Sequence, residues 1–193
     1  MKVIELDGAR IGLDIIPEGE GNRRERERAA VASILEKLTG RHVEICHEPS
    51  GAPYPADRSF YLSISHSRHI AAVLAGSSPG WGIDIEEPRP GQLERVASRV
   101  LCDGERERCG SLLQVWTLKE AAFKAAALPI ADLREIHLAG NCRILARDIA
   151  INIVASLEIN DFANYPAWLS VVKKEGICII PTCRFPYGLI SSG

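Results

Sequence analysis

The sequence predicts an α+β fold of two similar-sized halves, residues 1–80 and 81–193, packed as one unit that meets near residue 80. Three observations predict it. Apolar residues alternate with period two at Ile11, Leu13 and Ile15, and again at Ile149, Ile151, Ile153, Ala155, Leu157 and Ile159. Between these stretches they recur at helical spacing, first at Val31, Ile34, Leu35 and Leu38, later from Leu93 to Ala127. No flexible linker, short repeat or low-complexity segment divides the chain, whose 16 Gly and 11 Pro among 193 residues are too few for a low-complexity polymer.

Taken in order, residues 2 to 16 read as a hairpin turning at Asp7-Gly8. Asn22 stands three residues before Glu25, a cap and capping-box pair for a helix from 23 to 39 that stops at Gly40. His42 to Cys46 reads as a strand, and the Pro-, Gly- and Ser-rich stretch from His47 to Asp57 as a loop. Strands follow at Phe60–Ser65, Ile70–Ala75 and Trp81–Glu86, with the polar knot Ser65-His66-Ser67-Arg68-His69 between the first two. Leu93, Val96, Ala97, Val100 and Leu101 fit one helix; Leu112, Trp116, Phe123 and Ala127 fit the stripe of a longer one over about 105–128. From Ile136 the pattern returns to period two, with Lys173-Lys174-Glu175-Gly176 as a turn between strands at 168–172 and 177–180.

Composition narrows the function. With 46% hydrophobic and 25% charged residues the chain is not disordered, and its length lets it bury roughly 70% of its unfolded surface without staples. Lys and Arg number 23 against 25 Asp and Glu, so no global field recruits nucleic acid or an anionic membrane, and an anionic ligand must be met by local clusters. The six cysteines form no CxxC pair and are expected to be reduced. Glu5 and Asp7 break the first apolar run, so it is no signal peptide, and no apolar stretch is long enough for a membrane span. The expected location is the cytoplasm, with neither membrane nor nucleic acid as a partner.

Four constellations carry possible chemistry. In Gly82-Ile83-Asp84-Ile85-Glu86, strand geometry sends Ile83 and Ile85 into the core and sets Asp84 and Glu86 on the other face, about 6.8 Å apart. Two such carboxylates suit a hard divalent cation, although these five residues alone are better explained by a solvated strand face. On a helix, Trp116, Glu120 and Lys124 form one stripe; either Glu120 and Lys124 are a plain surface ion pair, or Glu120 is a third metal carboxylate and Lys124 meets a phosphate. At Ser63-Ile64-Ser65-His66-Ser67, Ser65 and His66 sit at a strand end where both suit phosphate oxygens, while a Ser-His nucleophile pair lacks an orienting acid. In Arg23-Arg24-Glu25-Arg26-Glu27-Arg28, a run that usually marks a solvated face, Arg24 and Arg28 share a side and suit a phosphate; as a nucleic-acid signal the run is weak.

In order and spacing, Ser63–Ser67, Gly82–Glu86 and Trp-Thr-Leu-Lys-Glu-Ala-Ala-Phe-Lys at 116–124 resemble the 4'-phosphopantetheinyl transferase superfamily, of the two-halves, surfactin-synthetase-activating type. A softer likeness reaches back to residue 22. The resemblance implies two pseudo-twofold-related α+β halves with coenzyme A in the cleft between them. It implies Mg2+, or Mn2+, on Asp84, Glu86 and Glu120, with Ser65, His66, Arg24, Arg28 and Lys124 toward the phosphates. A serine of an apo acyl or peptidyl carrier protein then attacks the phosphorus bearing pantetheine, releasing 3',5'-ADP, with Asp84, Glu120 and Lys124 as catalytic residues and Glu120 as general base. Two halves in one chain imply a monomer. The carrier served lies in surface shape rather than in these motifs.

The chain departs from the family pattern at Ala52, where relatives often carry lysine, and at Ala32, where they often carry arginine. Each lost charge-assisted contact costs roughly 1.5 to 3 kcal/mol, with Arg24, Arg28 and Arg58 as candidates to compensate. The alternatives are a non-catalytic relative that binds coenzyme A or a carrier protein, and a metal-dependent phosphohydrolase that needs only the carboxylates.

Overall fold

A computed structural model of the chain describes residues 1–89, 91–108, 111–127, 132–140, 142–162 and 164–176. The expected hairpin forms from β1 (Lys2–Leu6) and β2 (Ala9–Ile15), with Gly8 at φ 77°, the left-handed conformation that a two-residue turn requires. Helix α1 (Arg23–Thr39) starts at Asn22 with both halves of the capping box in place and ends at Gly40. Strand β3 lies at Ile45–His47, a little later than expected, and pairs with β4 (Pro53–Pro55) inside the stretch read as loop. Two of the three β4 residues are proline, which reads as a breaker yet is tolerated in an isolated two-stranded edge. Strands β5 (Tyr61–His66) and β6 (Ile70–Gly76) complete an antiparallel sheet in the order β1-β2-β6-β5.

The second sheet begins with β7 (Trp81–Glu86), as expected. Helices α2 (Gln92–Val100), α3 (Glu105–Arg108) and α4 (Leu112–Ala126) follow, then β8 (Ile136–Leu138), β9 (Arg143–Ala146), β10 (Ile149–Ile159) and β11 (Ala167–Lys174), in the order β7-β11-β10-β9-β8. The single helix expected at 105–128 is therefore two, because the Ser111 hydroxyl caps a new start by accepting from Gln114 N at 3.1 Å. Strand β11 runs on through Lys174, so the turn starts at Glu175; the strand expected at 177–180 lies outside the described residues.

The strand alternation sorts side chains into layers. Ile11, Leu13, Ile70, Ala72 and Leu74 of the first sheet meet Trp81, Ile83, Ile85, Leu169 and Val171 of the second in one core between the sheets. On its outer face the first sheet packs Ala71 and Val73 against Val31, Ile34, Leu35 and Leu38 of α1. The second packs Ile144, Ile151 and Val172 against Val115, Leu118, Ala121, Ala122 and Ala125 of α4. The result is helix, sheet, sheet, helix.

The buried stripe of α4 is thus mostly alanine. Of the stripe expected from the sequence, Leu112 and Trp116 are half-buried, Phe123 is 37% exposed and Ala127 lies just past the helix end. The reason lies in the strand beneath: a Cβ on Gly82 would sit 2.0 Å from the Ala121 carbonyl oxygen, an approach that leaves room only for small residues.

The two sheets join at a seam between β5 and β7. There Ile83 N donates to the Ser63 hydroxyl at 3.2 Å and Ile85 N donates to the Ser65 hydroxyl at 3.3 Å, so side chains satisfy amides that a neighbouring strand would otherwise pair. This seam sets Ser65-His66 beside Asp84-Glu86.

Candidate active site

Because Ile83 and Ile85 take the inner face of β7, Asp84 faces α4. Its Oδ1 accepts from the Ser65 hydroxyl at 2.7 Å and from Lys124 Nζ at 2.8 Å, and Lys124 also donates to the Ile83 carbonyl at 3.0 Å. Glu86 Oε1 accepts from Arg89 at 2.7 Å. Glu120, one turn before Lys124, shares this neighbourhood. Burial pushes its carboxyl above the usual carboxylate range; the charge of Asp84 adds to the rise, Lys124 opposes it and Glu86 adds again. Burial likewise raises Glu86, against Arg89 and with Asp84.

Three carboxylates from a strand and a helix, two of them, Glu86 and Glu120, raised by burial, are a donor set that a hard divalent cation offsets, and in chemistry they fit one. They do not all come within 4.8 Å of one another; among the described residues, the trio that does is Cys102, Glu105 and His137. Asp84 is drawn toward Lys124 and Ser65 while Glu86 is drawn toward Arg89, so each leans on a cation or donor of the protein.

The other residues singled out in the sequence lie around this point. Ser65 is buried with its hydroxyl engaged by Ile85 N and Asp84, so any phosphate contact from it must be shared with that acid. His66 is exposed at the end of β5, its Nδ1 3.5 Å from Glu27 Oε1. Buried Glu27 on α1 in turn accepts from Arg23 Nε at 2.6 Å, and Arg23 reaches the Ser67 carbonyl at 3.2 Å. Arg24 and Arg28 are exposed on the same helix. Of the arginine run, then, Arg23 is seen to touch the β5–β6 turn. Arg58 is paired with Glu48 at 3.0 Å and lies 4.0 Å over the Tyr54 ring, while Ala52 is exposed.

Two buried groups escaped the sequence reading. Glu87 accepts from the Ser67 hydroxyl at 2.5 Å and from His69 N at 2.7 Å, and its Oε1 pairs with His69 Nδ1 at 2.7 Å; the His69 ring stacks on Tyr165 with centroids 4.1 Å apart. Burial alone would raise this carboxyl, but the donors together hold it below its ordinary value. Glu87 thereby ties the β5–β6 turn to the end of β7. Lys119 and Glu105 form an ion pair at 2.7 Å with neither side chain exposed; Lys119 also donates to the Val100 carbonyl at 2.6 Å, and Glu105 accepts from Cys102 N and Leu138 N. The available signal was register: Lys119 falls in line with buried Val115, Ala122 and Ala126.

No helix among the described residues is long and apolar enough to cross a membrane. No curated protein matches the chain. A family model, that of the 4'-phosphopantetheinyl transferase superfamily, matches residues 80–178, just over half of the chain. The matched stretch runs from the start of β7 through α4 and past β11, and so takes in both Gly82–Glu86 and Trp116–Lys124. The strand that presents Asp84 and the helix that presents Glu120 and Lys124 therefore fall in the region of the match, and the chain belongs to the 4'-phosphopantetheinyl transferase superfamily.

Proposed function

We propose that the protein transfers the 4'-phosphopantetheine group from coenzyme A to a serine hydroxyl of an apo acyl or peptidyl carrier protein, with Mg2+ or Mn2+ as its metal. The observation that carries this reading is the meeting of Asp84 and Glu86 on β7 with Glu120 and Lys124 on α4. Coenzyme A would lie along the seam between the sheets, consistent with the two-halves type of the family. Asp84, Glu86 and Glu120 would hold the metal, which when bound supplies positive charge to offset the diphosphate and the leaving group.

The remaining work falls to the chain itself. Lys124, already held by Asp84 and the Ile83 carbonyl, offers a fixed cation to a phosphate oxygen. His66, Arg24 and Arg28 offer further donors at the surface. Glu120 accepts the proton of the attacking serine as the new oxygen–phosphorus bond forms and the bond to 3',5'-ADP breaks.

Incubation with Mg2+, coenzyme A and a panel of apo carriers tests the reading: mass spectrometry should find a phosphopantetheine added to the carrier serine. A second reading, a non-catalytic coenzyme A or carrier-protein binder, draws on exposed Ala52 and on the commitment of Arg58 to Glu48 and Tyr54. Calorimetry with coenzyme A and Mg2+, followed by the loading assay, separates the two, since binding without loading favours the second. Release of nucleotide without an acceptor protein would point instead to a phosphohydrolase.

A further inference from the structure

We propose that Thr117 and Ser170 are positioning residues for Glu120: their buried hydroxyl bond fixes the turn of α4 that carries this acid over the strand that carries Asp84. The inference rests on the transferase reading and adds two residues outside the three acids. Both side chains are fully buried, and their oxygens lie 2.7 Å apart.

Register places the bond. Ser170 on β11 stands directly opposite Asp84 on β7, and Ser156 on β10 stands opposite Ser170, so the three share one face of the sheet. That face meets α4, and two residues along β11 it is apolar again at Val172. On the helix, Thr117 lies three residues before Glu120 and seven before Lys124, all on one side. Lys124 reaches Asp84 at 2.8 Å and Thr117 reaches the cross-strand neighbour of Asp84, so Glu120 sits between two ties from α4 to the sheet. Glu120 senses the charge of Asp84, and a shift of this turn therefore alters how the acids share a cation.

The protons of this group have one consistent direction, because a hydroxyl donates once. Thr117 spends its proton on the Gln114 carbonyl at 3.1 Å, so Ser170 donates to Thr117. Ser156 then donates to Ser170 at 3.2 Å, and it accepts from Trp168 Nε1 at 2.8 Å and from Gln114 Nε2 at 3.4 Å. The run starts on the Gln114 side chain and closes on the Gln114 carbonyl, each bond polarising the next.

Apolar burial has no angular preference, and the buried stripe of α4 is mostly alanine, with little side chain to interlock. Directional bonds supply what that stripe lacks, a fixed position along the helix axis. Of the two ties, the one from Lys124 depends on the charge of Asp84 and weakens when a divalent cation offsets that charge. The hydroxyl tie carries no charge and is indifferent to loading.

The test is Mn2+ binding to the full chain with coenzyme A present, read by electron paramagnetic resonance without a carrier protein. Thr117→Val keeps the outline of the side chain and removes its hydroxyl. It should raise the Mn2+ dissociation constant by about tenfold, Ser170→Ala should do the same, and Thr117→Ser should restore the wild-type value. Ile34→Val, a core truncation on α1 in the opposite outer layer, should leave Mn2+ binding unchanged, and thermal melts will show that each variant is folded. Wild-type affinity in both Thr117→Val and Ser170→Ala, failure of Thr117→Ser to restore it, or an equal loss in Ile34→Val overturns the proposal while the transferase reading stands. A wild-type chain that takes up no Mn2+ with coenzyme A overturns the reading of the acids themselves, and this proposal with it.

Discussion

Each sheet carries one helix pressed against it over a glycine, and the two contacts are made of different material. Gly12 of β2 faces the tips of Ile34 and Leu38 on α1, with Ile34 Cγ2 2.4 Å from where a Cβ would stand. Gly82 of β7 faces the backbone of α4, at 2.0 Å from the Ala121 oxygen. A side-chain tip can rotate; a helical carbonyl cannot move without its helix. The first half therefore holds its helix by adaptable aliphatic packing, and the second fixes the rise of α4 over β7. It is α4 that brings Glu120 and Lys124 to Asp84, so the stiffer contact lies under the proposed site.

The contrast breaks if the halves answer mutation alike. The largest expected effect is on transfer: Glu120→Ala should lower it by about 10²- to 10⁴-fold, while the α1 double variant Arg24→Ala/Arg28→Ala should chiefly raise the coenzyme A KM, as steady-state loading kinetics will show. Next is the buried ion pair. Glu105→Gln, which strands Lys119, should cost about 3 to 5 kcal/mol in denaturant unfolding, whereas Arg23→Ala on α1, whose partner Glu27 is not fully enclosed, should cost about 1 kcal/mol or less. Replacing both by Lys119→Met with Glu105→Leu should recover only part of the loss, because the Cys102 and Leu138 amides then lose their acceptor.

Third come the glycines: Gly82→Ala should destabilise by about 3 kcal/mol and Gly12→Ala by about 1, and equal losses would erase the distinction drawn between the helices. The smallest effect is on pH dependence. Burial pushes the Lys173 ammonium down to about 8 from 10.5, although Ser78 and the Pro79 carbonyl receive its protons. Between those values the unfolded chain binds more protons than the folded one, so stability should climb as pH rises through that window, with the penalty fully present below it. Unfolding curves measured across the window should show this rise, and Lys173→Met should flatten it.

Much of this was legible beforehand, for local reasons. The capping box at Asn22 and Glu25, the Asp7-Gly8 turn and the strand Trp81–Glu86 are set by residues a few positions apart, and the structure has them as read. Strand β4 was hidden because Pro53 and Pro55 read as breakers until β3 is seen beside them. The buried face of α4 was misread because Trp116 and Phe123 outweigh alanines in any hydrophobic pattern, and only the approach of Gly82 tells that small residues are required. Lys119 was not singled out, because its partner, Glu105, lies fourteen residues earlier, outside any local pattern. At the site, the motifs supplied Asp84, Glu86, Glu120 and Lys124, whereas Arg23, Glu27 and Glu87 matter through contacts that no spacing reveals.

Ser65 uses one oxygen twice, accepting from the Ile85 amide and donating to Asp84 Oδ1, which also takes Lys124. Among the described residues both bonds fall on the same carboxylate oxygen, so the acid is oriented by the scaffold. Its aim is thus set before any ligand arrives, and little reorganisation energy is left to spend on arrival. A hydroxyl that began as mortar between two walls also points the tool.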